Sequence, residues 1–385
     1  MDVASRWDTA RAFGAVLLPT LAKGVIVRRP GAMALAGRWQ TDASAIAVLR
    51  SLRDRYGAGP LRLRVTGRSF ALVLDPGDVG RLLAESPEPF ALATREKRAA
   101  LAHFQPHGVL ASRGAARERR RRFTERVLRP EGVDVEPVVR DEADLLARHV
   151  HSAGELTWDA FTQTWWRVVR RIVLGGGARG DVELTEELAA LRRAGNWAYL
   201  RPRRDALRHR FDRRLRAHLD RAEPGSLAAT APADDLAGQV PHWLFAFDAA
   251  GIVTMRALAI GGTGAAGVLE SARLWPTTPI LLRESTRPTR WRGGWLPAGT
   301  TFVVFTPYFH RRGPHADEYA PGLWPTDDPA IVPFSGGPGV CPGRDLVLLT
   351  AGTMLDALRE HLAGPVLRAP LPATLDHFTL RIPAR

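Results

Sequence analysis

Hydrophobic and polar positions recur with a helical period over most of this chain, and with a two-residue period in only a few short stretches. Residues 1–56 read as helical, and "SAIAVLRSLRDRYG" (44–57) ends on a glycine cap. "LRLRVTGRSFALVL" (61–74) alternates and then turns apolar, which predicts a strand, a turn at Gly67 and a second strand. "DPGDVGRLLAES" (75–86) predicts a capped helix, and helical patterns follow at 114–128, 137–152, 157–174, 184–195 and 202–221. "EPGSLAATAPADD" (223–235) reads as a loop. Helices are expected at about 236–260 and 264–274, short strands at 279–285 and 300–306, and a last long helix at 343–362. There is no internal repeat and no βαβ alternation, which excludes a doubly wound sheet. The expected fold class is mainly α with small β-sheets (α+β), as one domain over 1–385. Its β-rich part lies at about 57–75 and 277–310, and its helical part at about 110–275 and 343–362.

The apolar run "FGAVLLPTLAKGVIV" (13–27) is too short to cross a bilayer and contains Pro19 and Lys23. It is expected to be an ordinary N-terminal helix, and the other reading lays it along a membrane surface. No targeting signal and no transmembrane anchor are expected, and the expected location is cytoplasmic.

A hydrophobic content of 45% over 385 residues supports a sizeable core. The formal charge of +14 comes almost wholly from arginine, since Lys23 and Lys97 are the only lysines. Heavy use of Arg, Ala, Gly and Pro also fits a GC-rich coding genome, which weakens the charge as a functional signal. A basic surface attracts acidic proteins, nucleic acids or anionic membranes. The two arginine-rich stretches, 114–128 and 201–221, have no interleaved aromatics and no nucleic-acid motif, so they read mostly as solvated helix faces and no nucleic acid is expected.

The chain has a single cysteine, which excludes an intramolecular disulfide and a protein-ligated iron–sulfur cluster. Cys341 lies in "FSGGPGVCPG" (334–343), a glycine- and proline-rich loop that is a poor site for a packed core side chain. A thiolate is a strong ligand for iron once its pKa is lowered. The metal, the start of the following helix near Gly343, and backbone N–H groups of the turn could each lower it. An unreactive or merely oxidisable loop cysteine is the alternative.

Phe334, Gly337, Cys341 and Gly343 resemble the F-x-x-G-x-x-x-C-x-G signature of the cytochromes P450. The resemblance implies that fold, with heme b (iron protoporphyrin IX) between the oxygen-binding helix and the helix after the cysteine loop. Cys341 would then be the metal ligand, Phe334 would pack beside the cofactor, and Gly337 and Gly343 would keep side chains out of its way. Glu270 and Arg273 in "VLESARLWP" resemble the structural E-x-x-R pair. Ala250, Gly251 and Thr254 in "FAFDAAGIVTMRA" match the A-G-x-x-T part of the oxygen-binding motif. A small residue there leaves room for dioxygen and the threonine relays a proton, although a helix threonine also bonds back to a carbonyl with no catalytic role. By the same resemblance Arg121, with Arg117 in the usual aromatic position, and Arg283 would contact heme propionates. Phe104, Phe247, Thr278 and Ile280 would line the substrate pocket, with a capping or core role open for Phe104 and for His107 nearby.

Four departures accompany the resemblance. Val253 stands where an acid usually precedes the threonine, and Gly339 replaces a basic residue two before the cysteine. Leu323 replaces an arginine that joins the Glu–Arg pair. Thr254 and Glu270 are too close for the helix the family usually carries between them, so "AIGGTGAAG" (259–267) reads as a bridge over a shortened segment. The implied activity is a bacterial-type monooxygenase inserting one oxygen atom from dioxygen into a small to medium apolar substrate. Its electrons would come from a separate partner, a ferredoxin or similar acidic donor with its reductase. A peroxide-using or rearranging heme-thiolate enzyme, or a heme-binding relative that has lost turnover, are the alternatives.

Overall fold

The structure is a computed structural model and describes residues 2–385. The chain forms two compact units. The first comprises residues up to Arg95 with Ala272–Cys341 and Ala369–Asp376, and the second comprises Glu96–Ser271, Pro342–Arg368 and His377–Arg385.

The chain begins in the first unit. Helix α1 (Arg6–Ala12) runs through a π-helical turn at Phe13–Leu17 into α2 (Leu18–Lys23), followed by α3 (Pro30–Trp39) and α4 (Thr41–Tyr56). Gly57 ends α4 at φ 77°, a backbone angle that glycine adopts without strain. Strands β1 (Leu61–Leu63) and β2 (Phe70–Leu72) form the expected hairpin, Leu61 opposite Leu72. Asp75 then caps α5 (Pro76–Ala84), its side chain accepting from the Gly77 N–H at 2.8 Å. Strand β3 (Phe90–Ala91) is too short to leave a pattern in the sequence.

The helices of the second unit are α6 (Arg95–Leu101), α7 (Gly114–Val127), α8 (Val135–Ala153), α9 (Trp158–Leu174), α10 (Val182–Gly195), α11 (Asp205–Leu219), α12 (Ala233–Ala237), α13 (Val240–Ala259) and α14 (Gly264–Leu274), the last crossing into the first unit at Ala272. Strand β4 (Glu155–Thr157) lies between α8 and α9. The stretch expected as a loop at 223–235 holds a 3-10 turn and the start of α12. Only Ile260–Thr263 separate α13 from α14, which bears out the short bridge; the two helices meet at 102°. Gly262 and Gly267 allow the bend, since a Cβ on Gly267 would lie 2.8 Å from the Gly262 carbonyl carbon. Among the described residues no single helix is long and apolar enough to cross a membrane.

Back in the first unit come β5 (Ile280–Ser285), the hairpin β6 (Thr289–Trp291) and β7 (Gly294–Leu296), β8 (Thr301–Phe305) and α15 (Thr306–His310). The main sheet has the order β1–β2–β8–β5–β3, with β2 and β8 parallel and the other pairs antiparallel. Phe90, Trp291 and Phe302 pack on it with ring centroids 5.0–5.6 Å apart. In the second unit α16 (Arg344–Arg359) follows the cysteine loop, and β9 (Arg381–Pro383) pairs with β4. The fold is mainly helical with small sheets, as the periodicity predicts. Among the described residues, four of the nine arginines of 201–221 are ion-paired: Arg208 with Asp212, Arg210 with Glu187, Arg214 with Asp181 and Arg216 with Asp234.

Candidate active site

In the first unit the cysteine loop is closed by its own backbone. The Cys341 N–H donates to the Phe334 carbonyl at 2.9 Å, Val340 N–H to Gly337 at 3.0 Å and Gly339 N–H to Gly336 at 3.2 Å. These three bonds hold the loop's shape. Gly337 has φ +56°, and a Cβ there would lie 2.3 Å from the Leu83 carbonyl oxygen at the end of α5. Its bareness is required by the packing of the loop on α5. Cys341 and Phe334 are both half-buried.

Arg283 on β5 reaches this loop. It is buried and donates from Nε to Ser86 Oγ at 3.0 Å and from Nη2 to Ser335 Oγ at 3.2 Å. A Cβ on Gly339 would lie 3.1 Å from Arg283 Nη2 and 2.9 Å from Leu92 Cδ2. The position usually basic is bare because another guanidinium already fills its space. Arg273 donates to the carbonyls of His310 at 3.2 Å and Glu318 at 2.7 Å. The second buried arginine there is Arg311, whose Nε donates to the Leu274 carbonyl at 3.1 Å; the charge of Arg273 is among the causes that pull Arg311 below the ordinary arginine range, after burial. Motif matching at Leu323 missed it. Ile280 is half-buried opposite Phe305, and Thr278 is exposed, its carbonyl accepting from Thr306 Oγ1 at 3.1 Å.

In the second unit α13 carries the A-G-x-x-T residues, all buried. Thr254 Oγ1 donates to the Ala250 carbonyl at 2.8 Å. A Cβ on Gly251 would lie 2.8 Å from Trp165 Cδ1 and Nε1, so Gly251 makes room for the indole of α9. Trp165 Nε1 donates to the Phe247 carbonyl at 2.7 Å, and the Phe247 ring lies 6.5 Å from the indole. That contact gives Phe247 a helix-packing role. Ser271 Oγ on α14 donates to the Val253 carbonyl at 2.8 Å. Glu270 is buried one residue before it.

Phe104 is fully buried, edge-on to Phe245 at 5.4 Å. Over the Phe245 ring lies the Arg192 guanidinium, 4.8 Å from its centroid, ion-paired to Asp248 at 2.5 Å. His242, 5.8 Å from the same ring, is pushed down to about 4 by burial. Arg192, Asp248 and Phe245 escaped sequence reasoning, because an arginine at the end of an amphipathic helix reads as a solvated cation.

On α7, Arg117 is the buried member of the arginine run, and Arg121 bonds Glu125 Oε1 at 2.6 Å. Burial, and then the neighbouring Arg121 charge, pulls Arg117 below the ordinary arginine range. Gly343 before α16 has Leu128 Cδ1 3.3 Å from where its Cβ would be, so it too serves packing.

The donors of each unit, taken by themselves, have the chemistry a heme would require of them. Among the described residues no group of three His, Cys, Asp or Glu side chains could hold a metal ion. One thiol is therefore a sufficient protein ligand only for a metal that arrives inside its own macrocycle. Two like-charged guanidiniums side by side on α7, one of them buried, suit carboxylates, as does Arg283 at the cysteine loop. A groove of about 570 Å³ on α11, lined by His209, Asp212, Arg213 and Arg216, is open to solvent and holds none of the residues above.

The sequence profile described as Cytochrome P450 matches residues 265–358. Cytochrome P450 monooxygenase g430 of Fusarium sp is 34% identical over 97 residues, 21% of this chain and 17% of the relative. Cytochrome P450 52A3-B of Candida maltosa is 35% identical over 133 residues, 29% of this chain and 25% of the relative. The chain thus matches a quarter or less of the length of these curated relatives. Among solved structures, CYP175A1 from Thermus thermophilus is similar with a TM-score of 0.69 at 20% identity, over 89% of this chain and 96% of that one. A six-coordinated cytochrome P450 from another strain of Thermus thermophilus gives 0.67 at 22% identity, over 88% and 97%.

Proposed function

We propose that this chain, a member of the cytochrome P450 family by its fold and by residues 265–358, is a heme-thiolate monooxygenase acting on an apolar organic substrate. The observation that carries the reading is the lone thiol in a loop locked by the Cys341–Phe334 backbone bond, with a buried guanidinium against the same loop. Cys341 would hold the iron through its sulfur, and Arg283, Arg117 and Arg121 would take the carboxylates. When bound, such a group supplies reductive activation of dioxygen, which an electron-rich thiolate favours.

The chain's own residues do the rest. Thr254 Oγ, donating to the Ala250 carbonyl, can turn to pass a proton while that carbonyl keeps its helical partner. The buried wall of α13, with Val253 and Ile252, excludes bulk water. Phe104 with its partner Phe245, and Ile280 and Thr278, are the positions offered to substrate. Electrons would come from a separate acidic donor of the ferredoxin type, suited to a chain of charge +14. The test is the spectrum of the reduced, CO-treated protein. A thiolate-shifted Soret band is expected, followed by product formation with NAD(P)H, ferredoxin and reductase; a reduced protein without that band ends the reading.

A second reading, turnover driven by peroxide, draws on Val253 in the usual acid position and on Asp248 being engaged by Arg192. Product formed with hydrogen peroxide, and none with the electron-transfer chain, would favour it.

A further inference from the structure

The outward face of α2 and α3 in the first unit has its polarity reversed. The side chains turned inward include Thr20 and Lys23, 2% and 4% exposed, with Lys23 ion-paired to Asp42 at 2.5 Å and Thr20 Oγ1 bonded to the Val16 carbonyl. The side chains turned outward are Leu18 (64% exposed), Leu21, Val25, Leu35 and Trp39 (67%). Leu18 and Leu21 lie at helical spacing on α2, as do Leu35 and Trp39 on α3, and Val25 is exposed just past Gly24, outside the helix. A helix that faces water has the opposite arrangement. The N-terminal helix is formed as expected, with Val16 in the core and Leu17 packed against it, but Leu18 and Leu21 face outward.

Charge selects what covers this face. Residues 13–39 contain Lys23, Arg28, Arg29 and Arg38 and no acidic residue. Arg29 donates to the Leu21 and Ala22 carbonyls beside the apolar stripe, Arg28 is held by the Gly24 and Thr277 carbonyls, and Arg38 is exposed one residue before Trp39. Two copies meeting through this face would bring six arginines together with no acid between them. A bilayer bearing anionic headgroups takes the leucines in its acyl boundary, the indole at its interface and the arginines on its phosphates.

We propose that the outward face of α2 and α3 is a docking surface for an anionic lipid bilayer, on which the chain lies peripherally without crossing it. The face is formed whether or not a heme is bound.

The test is sedimentation of the full, heme-loaded chain with vesicles of phosphatidylcholine, with and without phosphatidylserine. Wild type is expected to pellet with the phosphatidylserine vesicles and to be released by salt. Leu18→Asp combined with Leu21→Asp should lower the bound fraction about tenfold or more, and Arg38→Glu about threefold, both with unchanged thermal melting because these side chains are exposed. Trp39→Ser serves as an independent variant and should weaken retention as well. Wild type left in the supernatant overturns the proposal. So does equal retention on pure phosphatidylcholine, or a dimer in sedimentation velocity that the double aspartate variant dissolves.

Discussion

The cysteine loop and α13 carry the two halves of the candidate chemistry, and they absorb departures from the family pattern differently. At the loop, the missing basic side chain at Gly339 is matched by Arg283, which reaches in from β5 and occupies the space a Cβ would need. On α13 the missing acid at Val253 has no such substitute at the same position. The nearest acid on that helix, Asp248, is tied to Arg192. Both regions use a motif glycine to admit a protein neighbour: Gly337 admits the backbone of α5 and Gly251 admits Trp165. A motif therefore reports where chemistry can sit, whereas the compensation for a lost motif residue comes from elements far away in sequence.

The largest test of this contrast is Cys341→Ala. It should abolish the thiolate-shifted Soret band and all turnover while leaving the α13 contacts intact, so far-ultraviolet circular dichroism should be unchanged. A retained thiolate signature would break the assignment of the loop. Next comes the pair Gly337→Ala and Gly251→Ala. The first meets a backbone oxygen at a positive φ and should cost about 3 kcal/mol; the second meets an indole edge that can shift, and should cost about 1–2 kcal/mol, both read from chemical denaturation. Equal costs would mean that the Trp165 Nε1 bond to Phe247 pins the indole as firmly as a backbone.

Arg283→Gln separates the two halves by cofactor retention. It removes a charge at the loop and should weaken heme binding by about thirtyfold, measured by transfer to apomyoglobin; because the buried guanidinium also bonds Ser86 and Ser335, melting of the heme-free protein should fall as well. Thr254→Val probes the other half. It keeps size and removes the hydroxyl, and should lower product per electron consumed about tenfold when electrons come from the partner chain, with a smaller loss under peroxide. Equal losses under both conditions would remove the proton-relay role.

What the sequence disclosed follows from the range of the interactions. Cys341, Thr254, Glu270 and Arg273 stand out in the sequence by the motifs they resemble, and the long helices were legible because their periodicity needs no partner. The reasons for Gly337, Gly339 and Gly251 were not, since each is set by an atom far along the chain: Leu83, Arg283 on a separate strand, or Trp165. Nothing local in the sequence marks Arg192 and Arg311, whose partners, Asp248 and the Leu274 carbonyl, come from other elements. The exposed stripe of α2 was open in the sequence, which allowed both an ordinary helix and one lying on a membrane surface. Apolar residues at helical spacing predict burial, and only the fold shows that Lys23 took the inward position.

The smallest expected effect lies under the cysteine loop, at Asp78 on α5, the helix whose end supports Gly337. Burial, and then the charge of Asp75, push the Asp78 carboxyl up from 3.8 to about 6. The folded chain therefore holds a proton there between about pH 4 and 6 that the unfolded chain has released. Stability from this group is present below about pH 4 and is lost as pH rises to about 6, so at about pH 7.5 the full penalty applies. Asp78→Asn removes it. The gain should be about 1 kcal/mol at about pH 7.5, well below the value the shift alone implies because the group is partly solvated, and should vanish near about pH 4. Melting curves of both proteins at the two pH values read it directly. If the gain also sharpens the Soret band, the α5 platform bears on the thiolate; if melting alone responds, α5 supports the loop only as packing.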